Sequence, residues 1–168
     1  MALSKTVFIN RTNRSSAIHA FDSAAETMRR ERQSVYIFPE GTRSYADKPI
    51  LLPFKKGAFH LAVQAQVPIV PIVVANYSHV LNIKKRIFRA GRIPVKVLKP
   101  VETKGLEAKN VDELTQKIRD MMLQELGPLT EKARSIASRT AVPIPAKKGN
   151  WAAKNIDECM THTMRITA

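Results

Sequence analysis

From Gly57 to Ile83 the chain runs for 27 residues without a single Asp, Glu, Lys or Arg. Inside that stretch, Val67 to Ala75 is continuously apolar. A segment of this kind has little to hold it in water, so whatever the chain folds into must be built around it. Its length and β-branched content suit a strand covered on both faces of an α/β sheet. Pro68 and Pro71 predict that this strand begins irregularly or lies near an edge.

The flanks hold the charge. There are 28 Lys and Arg against 14 Asp and Glu, a net charge of +14. Residues 1–56 contribute +5, residues 84–104 contribute +7, residues 105–126 contribute −2 and residues 127–168 contribute +4. Such a balance calls for an anionic partner, and nucleic acid, membrane headgroups and a phosphorylated substrate all qualify. A core element followed by a solvated basic hairpin reads equally well from the same numbers. Aromatic residues make up only 6% of the chain, and no zinc-ligand or recognition-helix pattern occurs, which counts against nucleic acid. The single cysteine, Cys159, excludes an intrachain disulfide framework and a cysteine zinc cage, and it suits a reducing compartment. No apolar run reaches the roughly 18 residues of a membrane-spanning helix, and MALSKTVFINR lacks a signal-peptide core. The sequons at Asn10, Asn13 and Asn76 therefore read as chance.

Strand and helix patterns alternate. Thr6–Ile9 and Val35–Phe38 are short β-rich runs. Between them Ser15 offers an N-cap, and Ile18, Phe21, Ala25 and Met28 recur at helical spacing, predicting a helix to about Arg32. Phe54, Ala58, Leu61, Ala62 and Ala65 predict a second helix after Pro53, and Ile93–Leu98 a further strand. Asn110 and Glu113 resemble a capping box for a helix carrying Val111, Leu114, Ile118 and Met122, with Gly127-Pro128 as its stop. The β-α-β-α-β order predicts an α/β fold over residues 1–126, followed by a basic, weakly patterned tail over 127–168. A short helix within Trp151–Ala168 is conceivable from pattern alone.

The chemistry concentrates in Phe38-Pro39-Glu40-Gly41-Thr42-Arg43-Ser44, directly after a predicted strand. Ligands of open α/β sheets bind at such carboxyl ends. Gly41 permits close backbone approach and a positive φ, Thr42 and Ser44 supply hydroxyls, and Arg43 offers a fork for two phosphate oxygens. Lys55 and Lys56 precede the next helix, whose exposed amides also favour an anion. Glu40 cannot bind phosphate, but it can hold an arginine. An ordinary turn with Glu40 paired to Arg43 is the competing reading.

FPEGTRS, followed by LPFKKGAFHLAVQAQVPIVPIVV, resembles the third and fourth sequence blocks of the 1-acylglycerol-3-phosphate acyltransferases, which make phosphatidic acid from lysophosphatidic acid and acyl-CoA. Val7-Phe8-Ile9-Asn10-Arg11 is similar to their second block, a strand ending in a phosphate-binding arginine. The resemblance spans residues 5–125 or so and implies a partial glycerol-phosphate acyltransferase-like sheet flanked by helices and lacking its N-terminal elements. It implies substrate-phosphate contacts from Arg11 and Arg43, a loop shaped by Glu40, Gly41 and Thr42, and positive field from Lys55 or Lys56. It sets Val67–Val74 against the acyl chain or in the core beside it. It implies no metal or cofactor, acyl-CoA being a co-substrate, and an anionic membrane surface on the cytosolic face of the endoplasmic reticulum.

The family's catalytic block, Asn-His with an aspartate five positions after the histidine, has no counterpart here. None of His19, His60, His79 and His162 is followed by such an aspartate. His19 and Asp22 share a helical face, but they come after the second block, whereas the catalytic pair precedes it. The expectations are therefore a fragment of an acyltransferase that is inactive alone or, alternatively, a non-catalytic module binding phospholipid or anionic membrane. In either case Lys84 to Arg92 is the natural membrane-facing charge.

Overall fold

The computed structural model of the chain describes residues 14–42, 44, 46–139 and 164–166, the last three as backbone. The predicted strand at Thr6–Ile9, and Arg11 and Arg43, lie outside the described residues, as does most of the segment from Trp151 onward.

Helix α1 (Arg14–Glu31) starts one residue before the predicted cap at Ser15. It buries Ala24, Ala25 and Met28 on one face. Arg29 and Arg30 occupy its last turn, where cations complement the carbonyl end of the dipole. Strand β1 (Val35–Ile37) follows, and then the long loop that carries Glu40. Helix α2 (Gly57–Ala65) is buried along nearly its whole length, as its charge-free sequence requires. Phe54 stacks on Phe59 just before it, with ring centroids 6.2 Å apart. Gln66 ends α2 in a left-handed conformation, φ 55°, and its backbone N–H caps the helix.

Strand β2 (Ile69–Val74) carries the apolar run, and its two faces differ. Ile69, Pro71 and Val73 point into the core, while Val70, Ile72 and Val74 are half-buried. The strand expected to be covered on both faces is fully buried on one face and partly covered on the other.

Strands β3 (Leu81–Asn82) and β4 (Ile87–Phe88) form a separate hairpin. Strand β5 (Val95–Val97) pairs antiparallel with β2, and β6 (Met164–Ile166) lies between β1 and β2, giving the order β1-β6-β2-β5. Because β6 is antiparallel to both neighbours, β1 and β2 run parallel, joined by the α2 crossover. The fold is mixed α/β, as predicted. Strand β2 is internal rather than at an edge, contrary to what Pro68 and Pro71 suggested. Pro71 and Pro94 instead bound its ladder with β5: Leu98 N–H donates to the Pro71 carbonyl and Ala75 N–H to the Pro94 carbonyl, and neither proline can return a bond.

A 3₁₀ turn (Ala108–Asn110) leads into helix α3 (Val111–Arg139). Here the capping box is Glu107 with Asn110, one turn earlier than the predicted pair of Asn110 with Glu113. The helix also continues through Gly127-Pro128 rather than stopping there. One proline removes a single i→i−4 bond, and Leu126, Thr130 and Ala133, all buried around it, hold the helix in place. No helix among the described residues is long and apolar enough to cross a membrane.

Candidate functional site

The loop after β1 is drawn closed at its neck. Lys55 N–H donates to the Pro39 carbonyl at 2.7 Å, so the residue two before α2 returns to the end of β1. Gly41 N–H donates to the Phe38 carbonyl at 3.1 Å, and Gly41 has φ +65°, the left-handed region that glycine occupies without a Cβ clash. The Lys55 side chain crosses directly over it: a Cβ at position 41 would lie 2.8 Å from both Cδ and Cε of Lys55 and 3.2 Å from its Nζ. The ammonium of Lys55 thus stands over the turn at Gly41. It has no carboxylate partner among the described residues.

Lys56 goes elsewhere. It occupies the cap position of α2, and its Nζ pairs at 2.8 Å with Asp112 in the first turn of α3. Both side chains of that pair are largely exposed, so it contributes well under about 1 kcal/mol. Of the two lysines that the sequence could not separate, only Lys55 reaches the loop.

Glu40 is buried, with 2% of its surface exposed. Its Oε2 accepts the Leu52 N–H at 3.1 Å, while Oε1 has no partner among the described residues. Burial raises its carboxyl above the ordinary range, outweighing the Leu52 amide and the charge of Arg119, which both pull it down. Arg119 reaches in from α3 and donates through Nη2 to the Leu51 carbonyl at 2.9 Å. Leu51 and Leu52 are therefore held from two sides, by Arg119 and by Glu40. Thr42 is exposed at the turn. Ser44 is half-buried, and its Oγ accepts the Ala46 N–H at 3.4 Å.

Two asparagines beyond β2 hold the far side of the loop. Asn76 Nδ2 donates to the carbonyls of Ala46 and Lys48, at 2.8 and 3.2 Å. Asn82 Nδ2 donates to Asp47 Oδ1 at 2.7 Å. Sequence reasoning missed Arg119, Asn76 and Asn82 as supports of the loop. Nothing in local pattern marks which of many cations and amides turns inward.

The side chains of His19 and His162 lie outside the described residues, and Asp22, the partner that the sequence offers to His19, accepts from Gln64 Nε2 at 2.7 Å. His60 is exposed. The His79 Nε2 is buried without a partner among the described residues, and burial together with Arg134 lowers its pKa. Ile69 and Val73 are sealed in the core, while Val70, Ile72 and Val74 are half-buried on the other face of the strand.

Comparison with known proteins agrees with this arrangement. A model of the Acyltransferase family matches residues 1–75. An uncharacterized acyltransferase of Schizosaccharomyces pombe is 53% identical over 114 residues, 68% of this chain and 41% of that protein. The 1-acyl-sn-glycerol-3-phosphate acyltransferase of Saccharomyces cerevisiae is 43% identical over 126 residues, 75% of this chain and 42% of that protein. Among solved structures, the 1-acyl-sn-glycerophosphate acyltransferase of Thermotoga maritima superposes with a TM-score of 0.53 at 26% identity, covering 67% of this chain and 46% of that one. The chain spans about two-fifths of the length of the curated relatives it matches. With 43–53% identity to such relatives over two thirds or more of its length, and with the fold of the solved one, the chain belongs to the 1-acyl-sn-glycerol-3-phosphate acyltransferase family.

Proposed function

We propose that this chain supplies the phosphate-binding part of an acyltransferase that moves an acyl group from acyl-CoA to lysophosphatidic acid, yielding phosphatidic acid. The observation that carries the reading is the Lys55 ammonium laid across Gly41, without a carboxylate partner among the described residues, in a turn where Thr42 is exposed. A cation held over a glycine turn, with a threonine in that turn and a helix starting two residues after the lysine, suits a phosphate monoester. Arg43, adjacent in sequence, and Arg11 would add guanidinium forks to the same phosphate. Glu40 stiffens the loop through Leu52 and contributes no contact to the anion. No metal or cofactor is called for, since the acyl donor is already activated as a thioester.

The base that takes the proton from the acceptor hydroxyl is not among the four histidines of this sequence, so we assign this chain no turnover alone. The same observation favours a second reading, a non-catalytic module that recognises glycerol-phosphate lipids or an anionic bilayer. Either reading sets the chain against a membrane, and acyl-CoA as donor places the working face toward the cytosol, at the endoplasmic reticulum.

Equilibrium binding of a short-chain lysophosphatidate to the 168-residue chain tests the site. Lys55→Gln is expected to weaken it about tenfold or more, the loss of one charge-assisted hydrogen bond, while the corresponding monoacylglycerol binds both proteins equally weakly. Equal affinity of Lys55→Gln and the parent chain for lysophosphatidate would remove the loop from the acceptor site.

A further inference from the structure

The hairpin of β3 and β4 has two unlike faces. Leu81 stands opposite Phe88, and Asn82 opposite Ile87. The second pair turns toward the protein, where Asn82 is buried and bonded to Asp47. The first turns away, and Phe88, 81% exposed, is the most exposed large apolar side chain among the described residues. Ile83 at the hairpin turn and Ile93 beyond it are exposed as well. Around them stand Lys84, Arg86, Arg89 and Arg92, all exposed and without an acidic partner among the described residues. No Asp or Glu occurs between Lys84 and Val101.

An apolar tip ringed by cations complements a surface with an anionic skin and an apolar interior. An anionic bilayer has that profile. A nucleic-acid surface would ask for successive aromatic platforms, and the hairpin has one aromatic ring. We propose that the β3–β4 hairpin is an interfacial anchor: Phe88 enters the boundary between headgroups and acyl chains, and Lys84, Arg86, Arg89 and Arg92 meet lipid phosphates. Lys85 is the exception among these cations. Its Nζ pairs with Asp47, and its backbone N–H donates to Asn82 Oδ1. Asn82 and Lys85 together tie the anchor to Asp47, in the loop that begins with Glu40, Gly41 and Thr42. A docked hairpin thereby seats the phosphate-binding turn at the lipid surface, where its acceptor resides. The inference rests on the membrane setting proposed above and names the residues that make the contact.

A fluorescent reporter at the tip tests it: Phe88→Trp, in a chain whose single tryptophan is removed by Trp151→Phe. With vesicles of phosphatidylcholine and phosphatidylserine, the emission shifts to the blue and is quenched by lipids brominated near the headgroup; with pure phosphatidylcholine it does neither. In sedimentation with the anionic vesicles, Phe88→Ser and the quadruple variant K84Q/R86Q/R89Q/R92Q both lose binding, about fivefold for each charge removed. A far-UV spectrum matching the parent chain accompanies each variant. A reporter that stays unquenched, or variants that sediment as well as the parent, overturns the anchor while leaving the membrane setting intact. A parent chain that sediments with no vesicle overturns both, as does a shift produced by protein or nucleic acid and not by lipid.

Discussion

At the scale of single residues, Gly41 and Glu40 divide the work of the loop. Gly41 holds φ +65° beneath the Lys55 stem, so a side chain there meets two penalties. Gly41→Ala pays roughly 1–2 kcal/mol for the left-handed backbone and also displaces Lys55 from the turn. Its unfolding midpoint should fall, and its affinity for lysophosphatidate should fall with it; a variant that binds as the parent does would show that Lys55 need not cross Gly41. Glu40 makes a pH prediction. Its buried carboxyl titrates above the ordinary range, so between the unfolded and folded pKa values the native chain keeps a proton that the unfolded chain has released. Stability owed to Glu40 therefore declines as pH rises through that interval. Glu40→Gln keeps an oxygen for the Leu52 amide but cannot ionise. Measured by urea unfolding from about pH 4 to about pH 8, it should gain on the parent as pH rises and then hold a constant lead. A difference independent of pH would show that the carboxyl does not titrate on folding.

At the scale of elements, α3 braces the site from behind. Arg119 holds Leu51 from its middle, and Thr130 holds the end of β2 from beyond Pro128. The Thr130 hydroxyl donates to the Leu126 carbonyl at 2.7 Å and accepts the Asn76 N–H at 3.1 Å. Thr130→Val keeps the volume but leaves the Asn76 amide unpaired in a half-buried place, a loss of about 1–3 kcal/mol that denaturant unfolding would read. Continuation of the helix through Pro128 is what makes this brace possible. The sequence pattern predicted a stop at that point because Gly-Pro is a helix breaker in isolation. Packing of Leu126, Thr130 and Ala133 into the core compensates for one missing bond. The hairpin of β3 and β4 is legible only as a basic stretch, because strands of two residues carry no periodicity to read.

At the scale of the whole molecule, the charge-free stretch supplies α2, β2 and β3, and the basic segments on either side supply Lys55 and the cations and second strand of the hairpin. The sheet keeps one face for its helices. The other presents Tyr36, Val95 and Val97, each more than half exposed. Purified alone, the chain should bind lysophosphatidate but transfer no acyl group to it from acyl-CoA; measurable turnover would overturn the assignment of the base to residues other than these. Sequence by itself determined the core segment, the element types around it and the family, because apolar run length, helical spacing and the FPEGTRS string are local properties of the chain. Only the tertiary structure decided that Lys55 rather than Lys56 serves the loop and that Arg119, Asn76 and Asn82 hold it. It also decided that the helix passes Pro128 and that β2 lies inside the sheet. Each of these depends on which groups meet across dozens of residues, and no local preference carries that information.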